Sequence, residues 1–263
     1  MNALTVGHDA EVFVTNRGTI AHAIGLLGGT KDEPLQVDQG AIQEDNVLAE
    51  LNIWPATNAD DFVSRTNVVM DEIVTRLPDG YDVRVQASHH YTKPVLMAMP
   101  DQALDFGCSP DYNAWTLSAN DVSSPLTTLR TAGGHVHIGF SQAVTATSQV
   151  EVMRMCDYLL GLPSVLLDDD VERRSLYGKA GAYRPKAYGA EYRVLSNFWL
   201  KDEELMRWVY AQAVLCHDET HMLDHYASLP NDELIRIINE SDKVAAAHWV
   251  EQLGLIMPES YHV

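Results

Sequence analysis

Four short stretches of the chain share one pattern: Asp9-Ala10-Glu11, Glu50-Leu51-Asn52, His135-Val136-His137 and Glu191-Tyr192-Arg193. In each, two polar residues flank an apolar one. Extended chain sends alternate side chains to opposite faces, so each polar pair shares one face of a strand. Two carboxylates side by side repel unless a cation lies between them, which applies to Asp9 and Glu11. Glu50 sits among apolar neighbours, where a carboxylate needs a partner or a metal. His135 and His137 follow two glycines that admit close approach, which suits a metal or a phosphate. A complementary group lies further on. The chain has 18 Lys+Arg against 37 Asp+Glu, yet Arg173, Arg174, Lys179, Arg184, Lys186 and Arg193 fall within one short stretch, with Glu191 as its sole acid. Cations so clustered repel one another unless an anion is bound, so this knot is a candidate anion site. Gly178, Gly181 and Gly189 break it into turns that bring backbone N–H groups towards a ligand.

The elements that must carry these residues follow from periodicity. Residues 4–14 and 46–53 alternate as strands, with Asp45 at the start of the second and Pro55 ending it. Residues 81–90 and 129–140 read as two more strands, and 19–27 as an apolar run closed by a turn. Residues 57–77 have helical spacing, with Thr57 or Asn58 as N-cap. Residues 105–115 are turn-rich. A helix over 147–162 is interrupted by Pro163, and 202–228 and 231–254 are helical, the latter with Asn231 as N-cap. One antiparallel sheet can collect all four polar pairs on one concave surface. No repeat, low-complexity tract or linker breaks the chain, which predicts one domain over 1–263 with C-terminal helices over about 202–254.

Composition excludes several classes. A net charge of −19 disfavours tight nucleic-acid binding, leaving nucleic acid only as a modified substrate. No apolar run approaches the roughly 20 residues of a membrane span, and the N-terminus lacks the features of a signal peptide. Cys108, Cys156 and Cys216 are far apart and form no CxxC, which predicts reduced thiols and a cytoplasmic setting. His89 and His90 are adjacent, face opposite ways and read as structural. His217, His221 and His225 are four residues apart, but HDETH places its glutamate one position late for the zinc-protease HExxH. They read as histidines on a surface helix. No Walker loop or GxGxxG is present, so any nucleotide must be held by the sheet and the cation knot.

The segments VGHDAEVF, EDNVLAELNIWPA, GGHVHIGF and RRSLYGKAGAYRPKAYGAEYRVLSNFW resemble the carboxylate–amine ligases of the glutamine synthetase and γ-glutamylcysteine ligase fold, above all the compact type-2 amidoligases of phages and bacteria. The resemblance implies an α+β catalytic domain, with a curved, mainly antiparallel sheet and helices on its outer face. It implies ATP and Mg2+ or Mn2+ as cofactors, and amide formation through an acyl phosphate with release of ADP and phosphate. Asp9 and Glu11 occupy the place of the family's first-strand metal acids, Asp9 being the shorter residue. Glu50 resembles a second-strand metal carboxylate, and Asp45 is a candidate beside it. His135 and His137 match the histidine strand, Glu191 the late metal acid, and Arg193 the phosphate-contacting arginine after it. Arg184 sits where a nucleotide- or substrate-binding arginine is expected, with Arg173 and Arg174 as weaker candidates. The implied partners are a small-molecule or peptide carboxylate and an amine. The first metal strand begins near residue 4, so a monomer or dimer is expected rather than the ring of glutamine synthetase. A metal-dependent hydrolase using Asp9, Glu11, Glu50 and the histidines, and a non-catalytic binding or structural protein, stay open beside this reading.

Overall fold

The computed structural model describes residues 3–104, 111–120 and 127–261. Cys108 and the first part of the turn-rich 105–115 stretch lie outside them. The fold is built around β1 (Thr5–Asn16), whose inward residues Val6, Ala10, Val12 and Val14 are fully buried. β2 (Thr19–Ala21), β3 (Leu35–Val37), β4 (Gly40–Asp45) and β5 (Leu48–Ile53) follow, then α1 (Ala59–Arg76), capped by Asn58. Next come β6 (Tyr81–Arg84), β7 (Ser88–His90), the short α2 (Lys93–Met97), β8 (Tyr112–Asn113), β9 (Leu129–Thr131) and β10 (Val136–Gly139). The second half holds α3 (Ala146–Cys156), α4 (Leu162–Leu167), the single turn α5 (Arg173–Leu176), β11 (Ala182–Lys186) and β12 (Gly189–Tyr192). It ends with α6 (Glu203–Asp218), α7 (Asn231–Glu240) and α8 (Lys243–Leu253).

Ten of these strands form one antiparallel sheet, in the order β3-β4-β5-β1-β10-β12-β11-β8, with β2 and β6 also paired to β1. The fold is therefore α+β. β1 is long enough to change neighbours along its length. Its first half lies between β5 and β10, and its second half pairs with β2 and β6. Asn197 fills the gap where the neighbours change, donating to the carbonyls of Glu11 and Gln86. α1, α3 and α6 pack on β5, β1, β10 and β12. The residues between the polar pairs, Ala10, Leu51, Val136 and Tyr192, are fully buried in the core with Phe62, Ile73 and Val209 of those helices. Burial of the larger aliphatic and phenylalanine side chains among them stabilises the fold by about 1.5–3 kcal/mol each. It fixes the register, since a slip of one residue would turn the polar pairs into the helices.

Several boundaries differ from the periodicity. β4 is a strand that the polar run Gln43-Glu44-Asp45 conceals. Asp45 ends β4 rather than starting β5, and the hairpin turns at Asn46 with φ 54°. The 81–90 stretch divides into β6 on β1 and β7 on β9, and 129–140 divides into β9 and β10. Pro163 does not stop the helix. α3 continues through a π-turn at Asp157–Gly161 into α4. A wider turn separates the proline ring from the carbonyl it would strike in an α-helix. α6 ends at Asp218 and a 3-10 stretch follows to Ser228, while Ser241 (φ 54°) divides α7 from α8. Pro230 holds the N-cap position and Asn231 is the first helical residue.

Candidate active site

Sheet register places the polar pairs side by side. Glu11 on β1 is opposite Glu50 on β5, and Glu50 is opposite Gln43 on β4. On the other side of β1, His137 lies between Gly7 and Glu191, and Glu191 lies opposite Arg184 on β11. His135 precedes β10, and its ring folds over Gly133. A Cβ on Gly133 would lie 2.3 Å from His135 Nε2, so a larger residue there would displace the His135 ring. The Gly133 N–H also donates to Glu11 Oε2 at 2.5 Å.

Asp9, His135 and Glu191 form one cluster whose donor atoms lie within 4.8 Å of one another. His135 Nδ1 is 3.1 Å from Asp9 Oδ1 and 3.7 Å from Glu191 Oε1, and His137 Nε2 is 3.2 Å from Asp9 Oδ2. Burial pushes the Asp9 carboxyl up, but His137 and His135 more than offset this and hold it well below the usual range. Glu191 is pushed up by burial and by Asp9, yet Arg193 and the two histidines pull it down to about 2. Burial and Arg193 lower His135, which favours the neutral ring. Asp9 raises His137 in spite of burial.

Glu11, Asp45 and Glu50 form a second cluster of the same dimension. Here the electrostatics are reversed. Burial and Asp45 push Glu11 up to about 8, and burial with Asp9 and Glu11 pushes Glu50 well above the usual range. Three carboxyls converge with little positive charge to balance them. Lys31 Nζ stands 3.9 Å from Asp45, and Arg173 pulls on Glu11 from a distance.

Part of the cation knot meets these acids. Lys186 Nζ is 2.8 Å and Arg184 Nη1 3.5 Å from Glu191 Oε2. Arg193 Nη1 pairs with Glu191 Oε1, and its Nε is 3.4 Å from Asp111 Oδ2. Arg173 and Arg174 are not brought to this set. α5 turns both into the interior, where Arg173 donates to the carbonyls of Val194 and Arg193, and Arg174 to the hydroxyls of Ser164 and Ser241. Lys179 is exposed on the turn before β11. His217 is buried on α6, while His221 and His225 lie exposed on the 3-10 stretch, so the three share no site. Asp111 and Tyr188 went unrecognised in the sequence. Asp111 has no periodic neighbour to mark it, and Tyr188 lies in the β11–β12 turn with its hydroxyl 2.6 Å from His137 Nδ1.

Beside Asp9 and His137 opens a pocket of about 320 Å3, lined by Gly7, Asn52, Ile53, Pro55, His137 and Tyr188 among others. A sheet that gathers carboxylates, histidines and paired arginines on the face away from α1, α3 and α6 has the equipment of an enzyme that handles phosphoryl groups and divalent cations. Residues 121–254, just over half of the chain, match the family described as phage phiEco32-like COOH.NH2 ligase-type 2. The protein belongs to this family of carboxylate–amine ligases. Among solved structures it is similar to a GmaS/ADP complex (11% identity, 97% of this chain and 71% of that one, TM-score 0.37) and to apo GmaS (13%, 97% and 70%, TM-score 0.40). A third, described as a novel glutamine synthase homolog, is 12% identical over 94% of this chain and 66% of that one, with TM-score 0.40. These likenesses are too distant to bear on individual residues. No curated protein matches the chain.

Proposed function

We propose that the protein joins a carboxylate to an amine at the expense of ATP, through an acyl phosphate, releasing ADP and phosphate. The observation that carries this reading is the position of Glu191, with the Asp9–His135 donors on one side and Lys186, Arg184 and Arg193 on the other. Metal-type ligands and phosphate-type ligands thus share one residue. Asp9, His135 and Glu191 would hold one divalent cation, with His137 beside them, and Glu11, Asp45 and Glu50 a second. The donor sets fit Mg2+ or Mn2+. Glu11 and Glu50 have the raised proton affinity of carboxyls crowded without a cation, and the buried Glu191 Oε2 and His137 Nε2 have ion-pair neighbours but no properly angled hydrogen bond. Bound there, the cations would offset charge on the phosphoryl oxygens.

The chain's own residues supply the rest. Arg193 and Arg184 present planar guanidinium groups to the transferring phosphoryl group, with Lys186 adding charge. Glu191 holds these cations in place before substrate arrives, so little reorganisation is needed during reaction. Ile53, Pro55 and Tyr188 give the neighbouring pocket apolar walls that suit the flat base of the nucleotide. The reading is tested by turnover with pooled carboxylates and amines. Phosphate release should require both pools and yield an amide identified by its mass. Release of phosphate with neither pool, or cleavage of an amide without ATP, would favour a hydrolase.

Linkage between protons and cations gives a further expectation. The ordinary value for Glu11 is 4.5 and its folded value is about 8, so its contribution to stability is complete below the lower value and lost as pH rises through the upper one. Glu50 and the raised His137 act in the same direction. His8 and His135 are lowered and act the other way, but only up to about their ordinary 6.5. The cation-free protein should therefore lose melting temperature between about pH 7 and about pH 8.5, and Mg2+ or Mn2+ should restore it by several degrees more at the higher pH. Calorimetry with and without the cation measures this. Equal stabilisation at both pH values would count against the Glu11 cluster as a cation site.

A further inference from the structure

One fully buried carboxylate has no part in the chemistry above. Asp157 opens the π-turn between α3 and α4, where the Leu162 N–H bonds to the Asp157 carbonyl. Its Oδ1 accepts from the Tyr192 hydroxyl at 2.6 Å and its Oδ2 from Trp115 Nε1 at 2.6 Å, and the Gly181 N–H also bonds to it. Gly161 makes room for this meeting, since a Cβ there would lie 2.5 Å from the Tyr192 hydroxyl and 3.3 Å from Asp157 Oδ1.

Both partners lead to Arg193. Tyr192 stands between Glu191 and Arg193 in the chain and points to the helical side of the sheet, while those two point to the site. Trp115 belongs to the 111–120 loop. This loop closes on itself, with the Asn120 N–H bonding to the Asp111 carbonyl at 2.9 Å and Asn120 Nδ2 to Asp111 Oδ1 at 2.8 Å. Asp111 Oδ2 then meets Arg193 Nε at 3.4 Å. The other side of the Trp115 ring is covered by the Arg154 guanidinium, 5.2 Å from its centre.

We propose that Asp157 is a positioning residue for Arg193, fastening the 111–120 loop to β12 so that Asp111 and Glu191 hold the guanidinium from opposite sides. The inference rests on the reading of Arg193 as a phosphate ligand. Burial pushes Asp157 up to about 7, while the Tyr192, Trp115 and Gly181 donors pull the other way. In Asp157→Asn the amide can accept from Trp115 and donate to Tyr192.

The experiment titrates Mn2+ alone, and then ATP in the presence of Mn2+, into the wild type, Trp115→Phe, Asp157→Asn and Arg193→Lys. Trp115→Phe keeps a six-membered aromatic ring in a half-buried site but removes the pyrrole ring with its N–H, leaving Tyr192 and Gly181 as donors to Asp157. Its melting temperature is measured alongside to show that it is folded. It should weaken ATP about five- to tenfold, the size of one lost hydrogen bond, with Mn2+ affinity unchanged. Asp157→Asn, which offers one acceptor oxygen where the carboxylate offers two, should weaken ATP by no more than Trp115→Phe does, with Mn2+ affinity unchanged. A Trp115→Phe protein that binds ATP normally, while Arg193→Lys is weakened, overturns the inference and leaves the ligase reading standing. Equal losses of Mn2+ and ATP in Trp115→Phe also overturn it, because they indicate a general structural role. Failure of the wild type to bind ATP with Mn2+ removes the ligase reading, and this inference with it.

Discussion

Glu11→Gln should abolish turnover without destabilising the cation-free protein, whereas Glu191→Gln should do both kinds of damage. The two glutamates lie on one surface, but their environments differ. Glu11 is pushed up to about 8 by burial and by Asp45, so at neutral pH its folded form is mostly the neutral acid. An uncharged amide of nearly the same shape replaces it at little cost, and relieves repulsion at higher pH. Glu191 is held ionised by Arg193 and the histidines, and Lys186 and Arg184 also face it. Removing its charge leaves three cations without their shared partner, and breaking a buried pair in this way costs about 3–5 kcal/mol. On the proposed assignment both variants lose a cation ligand, and we expect turnover to fall by more than about a hundredfold in each. Melting temperature and Mn2+ titration measured on the same samples separate the two effects. Unchanged Mn2+ binding in both variants would refute the ligand assignment.

Arg193→Lys should lower turnover by roughly a hundredfold or more, the scale seen when one preorganised donor to a developing charge is removed. The substitution keeps the positive charge, so the loss is one of geometry. Arg193 spans Glu191 with Nη1 and Asp111 with Nε while facing the site. A lysine ammonium is a single point that cannot bridge both acids and keep a planar edge for phosphoryl oxygens. The fall should appear in kcat together with weaker ATP binding, since a point charge replaces the planar edge in the ground state and the transition state alike. Steady-state kinetics decides this, and a lysine variant with unimpaired kcat would remove Arg193 from the proposed transition-state contacts.

The polar pairs were legible because period-two alternation survives in isolated stretches. Ala10, Leu51, Val136 and Tyr192 are all fully buried, as the alternation requires. Sheet order was not legible, because pairing of β1 with β10 depends on contacts between distant parts of the chain. β4 was hidden because its residues serve different ends. Glu44 accepts from the N–H groups of Gly25, Leu27 and Gly28 to hold a loop, while Asp45 turns towards Glu11 and Glu50. The density of the cation knot was plain, but its direction was not. One helical turn, α5, sends Arg173 and Arg174 inwards, and only the strand residues Arg184 and Lys186, with Arg193 just after β12, meet Glu191. Asp157 carried no signal at all, since the π-turn that aims it at Tyr192 and Trp115 arises where the sequence shows only a proline after a helix.

In the proposed reaction the carboxylate substrate is phosphorylated before the amine attacks. Once a carboxylate and amine pair has been found by the pooled turnover assay, the carboxylate is labelled with oxygen-18 and the released phosphate is weighed by mass spectrometry. An acyl phosphate route transfers one labelled oxygen from the carboxylate to phosphate for each amide formed. Unlabelled phosphate accompanying amide formation, or release of AMP and pyrophosphate instead of ADP and phosphate, would contradict the account.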